Sequence, residues 1–254
     1  MTLASCTEML RQHDPDRFGA VLAAAPGDRG ALVTLYALNL EIARAPFQSA
    51  EPMLAEMRLQ WWVDRLADMG EGTAPPLHDV LTPLWQDWGI AAGTMAQLAE
   101  ARRRDCARTP LADVDAVLDY IDQTAGLLMQ IAAGHLGTSQ VAIAAAQGRA
   151  AGLGAWLRAL PQLQALNLGL RAPDPEAIAA LGAEGLAALD QARLGRRLPP
   201  KRAAPALYPG PRLRPLLRRA ARDPSIFLGQ PPVITPFQRR ASLAGLALTG
   251  RWWR

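Results

Sequence analysis

The sequence predicts an all-α fold, a single domain over residues 1–254 made of about ten helices. Three observations predict it. Ala, Leu and Arg dominate while runs of Val, Ile and Thr are scarce, a balance that favours helix over sheet. No alternation of apolar and polar residues at period 2 lasts more than a few positions. Apolar residues instead recur at helical spacing, in stretches punctuated by Pro and Gly. With half the residues apolar and 20% charged, the chain can build a substantial core and is not generally disordered.

Asp28 is the expected N-cap of a helix whose stripe is Leu32, Leu35, Tyr36, Asn39, Ile42 and Ala43, and Ala45-Pro46 stops it. Glu51-Pro52 opens the next helix with Pro at its first position, and Leu54, Met57, Trp61 and Leu66 form its expected apolar face. Gly70 to Pro76 reads as a loop, followed by helical patterns over 77–88 and 91–107. Asp113 caps a long helix through Val117, Ile121, Thr124, Leu128 and Ile131. Another helix runs from Ser139 to Leu160. Asp174-Pro175 starts a short helix, and Gly182 to Arg197 reads as a separate one. Prolines from Pro199 to Pro211 mark an extended connector before helices over 212–222 and 236–253.

Charge is unevenly placed. Residues 193–254 hold 14 basic residues and one acid, Asp223, for a net +13, while residues 1–192 carry a net −9. A basic region on an acidic body suits an anionic membrane surface or an acidic protein partner, and pairing with the acidic body is the plainer alternative. Nothing points to nucleic acid. Cys6 and Cys106 stand alone, which suits a reducing compartment, and the three histidines show no zinc spacing. Residues 1–20 carry five charges and no apolar run, so no secretory signal is expected. The uncharged stretch from Gln123 to Gln147 is broken by Gly134, His135 and Gly137, and reads as buried helix rather than a membrane span. The expected setting is the cytoplasm, with the inner face of the membrane as the surface the basic region would meet.

Several separated segments carry a resemblance. Asp14-Pro15-Asp16-Arg17-Phe18, Arg29 to Arg44, Glu56 to Trp62, Tyr120 to Gly137 with Thr124-Ala125-Gly126, and Gly152 to Leu163 occur in order. Together they resemble the squalene/phytoene synthase family. The resemblance implies an isoprenoid-synthase-like helical bundle around a central cavity. In active members, acids four apart on two helices hold Mg²⁺ against a substrate diphosphate, because residues at i and i+4 are neighbours on a helix. This chain offers Ala43, Arg44, Phe47 and Gln48 where the first helix would carry acids. It offers Ala159 and Leu163 on the second, with Ala155 at the usual Asn and Arg158 retained. Glu41 is displaced by two residues, about 200° around the helix. Asn39-Leu40-Glu41-Ile42-Ala43-Arg44, Met57 to Trp62 and Trp156 to Pro161 resemble most closely a catalytically degenerate subgroup related to a mitochondrial assembly factor for respiratory complex I. That resemblance implies a non-catalytic protein assisting assembly at the membrane, with no cofactor. The alternatives are a Mg²⁺-dependent prenyltransferase using Glu41, and an isoprenoid- or lipid-binding module.

The residues expected at the cavity are Asn39, Glu41, Arg44, Arg58, Gln60, Trp61 and Arg158, with no catalytic or metal-ligating set among them. Arg58 or Arg158 is expected to pair with Glu41 or another carboxylate, since a buried lone guanidinium is costly. Glu41 and Arg44, three apart, could equally pair on the helix face. Trp61 and Trp62 either line a lipid pocket or split between core and surface. On the last helix, Arg239, Arg240, Trp252 and Trp253 are the expected membrane contacts, as Trp with Arg at a helix end suits a bilayer interface. Docking of its apolar side onto the domain is the alternative.

Overall fold

A computed structural model of the protein describes residues 3–253. It is all-α, and among the described residues the only strand-like pairing is an isolated bridge between Leu111 and Leu170. The chain gathers into two compact units, Met1–Ala107 and Arg108–Arg254, taken in turn.

The first unit comprises α1 (Leu3–His13), α2 (Pro15–Leu22), α3 (Pro26–Arg44), α4 (Pro52–Gly70), α5 (Leu81–Trp88), a 3₁₀ run over Gly89–Met95, α6 (Ala96–Ala101) and α7 (Arg103–Cys106). The N-cap of α3 is Ala25 with Pro26 at the first turn; Asp28, expected as the cap, lies inside that turn and is buried. Every residue from Ala31 to Leu38 is buried, so the middle of α3 is enclosed on all sides rather than along one stripe. Helices α1, α2 and α5 pack on it.

Helix α4 corrects the expected face. Its buried residues are Ala55, Leu59, Trp62, Leu66 and Met69, an unbroken 4-3-4-3 spacing, whereas Leu54 and Met57 are exposed. The end of α4 meets the 3₁₀ run so closely that a Cβ on Gly93 would sit 2.5 Å from the Gly70 Cα. The last turn of the unit buries Asp105, which accepts from Arg102 at 3.4 Å and from Arg104 at 3.1 Å.

The second unit holds α8 (Val114–Ile121), a single π turn (Asp122–Gly126), α9 (Leu127–His135), α10 (Val141–Ala165), α11 (Pro175–Leu194), α12 (Leu213–Arg222), α13 (Ile226–Gly229) and α14 (Pro236–Thr249). The Asp113 carboxylate caps α8, accepting from Ala116 N at 2.9 Å. Helix α10 is central, packing on α9, the π turn, α11 and α12. Its Gly148 faces the π turn, where an added Cβ would lie 2.8 Å from the Gly126 Cα. The expected break at Gly182 is absent: α11 runs straight through, and the glycine serves instead to let α12 approach. Leu153, Trp156, Leu157, Leu181, Leu217 and Phe227 form the heart of this unit's core.

Helix α14 stops at Gly250, which adopts the left-handed conformation that favours glycine, so Trp252 and Trp253 lie beyond the helix end. The buried Gln147 of α10 fastens this segment, its side-chain amide donating to the carbonyls of Leu207 at 3.1 Å and Trp252 at 3.3 Å.

Candidate functional site

In the first unit, the C-terminal half of α3 presents Asn39, Glu41 and Arg44, all half-buried. Glu41 pairs with Arg44 across one turn at 3.9 Å. Its charge also acts on His78 and on Cys6, opposing the loss of the His78 proton and disfavouring the Cys6 thiolate. Burial dominates at both. It pushes the Cys6 thiol up to about 11, so that thiol is no nucleophile at neutral pH.

His78 is a site member that motif reading missed, since nothing in its local spacing marks it. Its ring lies against Trp61 and Trp62, with centroids 5.4 and 5.2 Å away, and the two indoles meet edge to face at 5.0 Å. Trp62 is buried and Trp61 half-buried, so the pair splits between core and surface. His78 Nδ1 accepts from Val80 N at 3.1 Å, and the Thr82 hydroxyl accepts from His78 N at 3.0 Å, which fastens the start of α5. An imidazole accepting at Nδ1 must be neutral there.

Burial lowers the His78 pKa, with Glu41 and Asp79 opposing it. Below the ordinary histidine value of about 6.5 the unfolded chain therefore binds more protons, and stability falls with pH in that window. Thermal melts between pH 7.5 and 5.5 should show that fall. The slope should flatten in His78→Asn, which keeps an acceptor but does not titrate. An unchanged slope would assign the pH dependence elsewhere.

Two expected cavity residues lie elsewhere. Arg58 and Gln60 fall off the buried stripe of α4 and are exposed. Arg58 donates to the Gln48 side-chain oxygen at 3.0 Å; Gln60 donates to Asp64 at 2.6 Å and accepts from Arg103 at 2.8 Å. In the second unit, Arg158 donates to the Pro211 carbonyl at 3.1 Å and so holds the proline-rich connector. Arg58 thus rests on an amide, and the carboxylate of Glu41 is taken by Arg44 on its own helix.

Mg²⁺ is the ion that the resemblance implies, and it needs carboxylate oxygens. At the end of α3 and just beyond it the chain carries Ala43, Arg44, Phe47 and Gln48; on α10, Ala155, Ala159 and Leu163 occupy half-buried or exposed positions. None is an anionic donor, and Arg44 brings a positive charge. Among the described residues no three His, Cys, Asp or Glu side chains gather so as to hold a metal ion. The donor set does not fit Mg²⁺.

The squalene/phytoene synthase family model matches residues 10–169, which include both of these helices. The chain belongs to the squalene/phytoene synthase family. Two solved structures share its fold over almost the whole length. One is a dehydrosqualene synthase crystallised with a ligand, at a TM-score of 0.76 and 12% identity, covering 96% of this chain and 94% of that one. The other is the squalene synthase HpnC from Alicyclobacillus acidocaldarius, at 0.66 and 16%, covering 98% and 94%. At such identities the likeness establishes the isoprenoid-synthase-like fold. No curated protein sequence matches the chain significantly.

The expected membrane contacts divide. Arg240 is exposed, and Arg239 and Trp253 are half-buried. Trp252 is buried against the second unit, its carbonyl held by Gln147, and so leaves the membrane-contact set. Leu246 is the one buried residue of α14. Arg254 lies outside the described residues. No described helix is long and apolar enough to cross a membrane.

Proposed function

We propose that this family member has given up Mg²⁺-dependent prenyl transfer and works as a non-catalytic helper at an anionic membrane surface, in the assembly of respiratory complex I. The observation that carries the loss of catalysis is the donor set: Ala43, Phe47, Ala159 and Leu163 cannot ligate a hard cation. Glu41, the carboxylate on the same helix, is engaged by Arg44. The assembly role draws its support from the α3, α4 and α10 segments quoted above, and the membrane role from the basic region that begins near residue 193.

The deciding experiment measures diphosphate released from farnesyl and geranylgeranyl diphosphate with Mg²⁺. No release above the enzyme-free rate is expected. Steady release that disappears in Glu41→Gln would restore the prenyltransferase reading.

The membrane role makes its own prediction. Each basic residue near an anionic bilayer contributes about 1 kcal/mol, screened within a Debye length. Sedimentation with anionic vesicles should show binding that weakens as salt rises. Arg239→Gln/Arg240→Gln should weaken it about tenfold or more at low salt, because two such contributions are lost. Indifference to anionic vesicles at low ionic strength would assign the basic region to an acidic protein partner.

A further inference from the structure

The second unit carries a cleft of about 470 Å³ between the start of α12 and the length of α14, lined by none of the α10 positions discussed above. Its size falls within the range of small-molecule sites. The floor is apolar: Leu246 and Trp252 are buried there, at 4% and 3% exposure. At the rim, Phe237 stands 80% exposed beside the exposed Pro215, an aromatic surface left in water. The same rim carries Arg212, Arg214 and Arg251. Arg214 is held by Asp190 at 2.6 Å. Arg212 and Arg251 are exposed and have no ion-pair partner among the described residues. Arg212 also adopts the left-handed conformation, with φ 53° and ψ 33°, a cost for a residue with a Cβ that is often found where a ligand is held.

An apolar floor with two uncompensated guanidinium groups at its edge is complementary to a molecule of one kind. We propose that this cleft binds a single-chain anionic lipid, its phosphate or carboxylate head between Arg212 and Arg251 and its chain over Phe237 and Trp252. Planar guanidinium groups suit such a head, since each can donate two parallel hydrogen bonds to it. The chain would cover the aromatic rim that is otherwise exposed. The site does not depend on the helper reading, because it takes a lipid monomer and needs neither a vesicle nor a protein partner.

The test is calorimetric titration of the full chain with dodecyl phosphate below its micellar concentration, beside inorganic phosphate and the neutral dodecyl maltoside. One dodecyl phosphate per chain is expected, at least tenfold tighter than either control. Arg212→Gln/Arg251→Gln should weaken it at least tenfold, and Phe237→Ser should weaken dodecyl phosphate while leaving any phosphate binding unchanged. All three side chains are exposed, so melting temperatures should stay near that of the parent chain. Equal affinity for inorganic phosphate would make this an anion site without a lipid. Equal affinity for the maltoside, or indifference to the arginine changes, would also overturn the proposal. Dodecyl phosphate binding in a protein that ignores anionic vesicles would support the cleft and reject the membrane role.

Discussion

Gly182→Val is expected to destabilise the protein by about 3 kcal/mol, the upper part of the range for overpacked interiors. Gly182 lies in the middle of α11, where a side chain would ordinarily help, since glycine costs a helix interior roughly 1 kcal/mol against alanine. Here the sign reverses. A Cβ at 182 would stand 2.6 Å from the Ala221 nitrogen and 2.9 Å from the Leu217 oxygen, and both belong to the α12 backbone. A flexible side chain could turn away, but a helix backbone must move as a body. At about 2–4 °C per kcal/mol for a chain of this size, the melting temperature should fall by roughly 6–12 °C. Gly134→Ala, where an added Cβ meets nothing within 4 Å, is the control and should gain up to about 1 kcal/mol. A Gly182→Val chain that melts like the parent would mean that α12 can slide.

Asp105→Ala should cost about 3 kcal/mol, at the lower end of the range for removing one partner from a buried ion pair. The Asp105 side chain is 3% exposed while those of Arg102 and Arg104 are 22% and 26% exposed. Removing the carboxylate takes one acceptor from each of two partly dehydrated guanidinium groups and leaves their like charges beside each other. Their residual access to water is the reason for choosing the lower figure. Arg102→Gln should be milder, about 1 kcal/mol, because Arg104 still neutralises the acid. Denaturant unfolding of the two variants separates the cases. If they lose the same amount, the triad is not the source of the effect.

The helices were largely legible because their starts are local. Pro52 at the first turn of α4 and Asp113 capping α8 act through neighbours in sequence, and both stand where the spacing puts them. The failures share a different cause. Gly182 reads as a break until α12 is seen to need its missing side chain. On α4, the large apolar residues Leu54, Met57 and Trp61 suggest one face, whereas burial follows the spacing set by Ala55 and Leu59. Alanine contributes little to a hydrophobic tally but allows close packing. At the candidate site, that Ala43, Phe47, Ala159 and Leu163 are not anionic donors was readable at once, since it concerns residue identity alone. The partners of Arg58 and Arg158 were not, because Gln48 and the Pro211 carbonyl reach them only through the folded path of the chain.

The bond pattern at Gln147 sets a timetable for synthesis. One amide on α10 donates to carbonyls that lie 60 and 105 residues further along the chain. A ribosome adding about 5–20 residues per second takes roughly 5–20 s to travel from Gln147 to Trp252. The Leu207 carbonyl is made partway through that interval and the Trp252 carbonyl only at its end, so the full bonding pattern of this buried amide cannot form before then. Local helices form in well under a millisecond, so the secondary structure of this unit is ready long before its closure is possible. The second unit therefore completes its interior as a late event, timed by elongation rather than by the intrinsic speed of its helices.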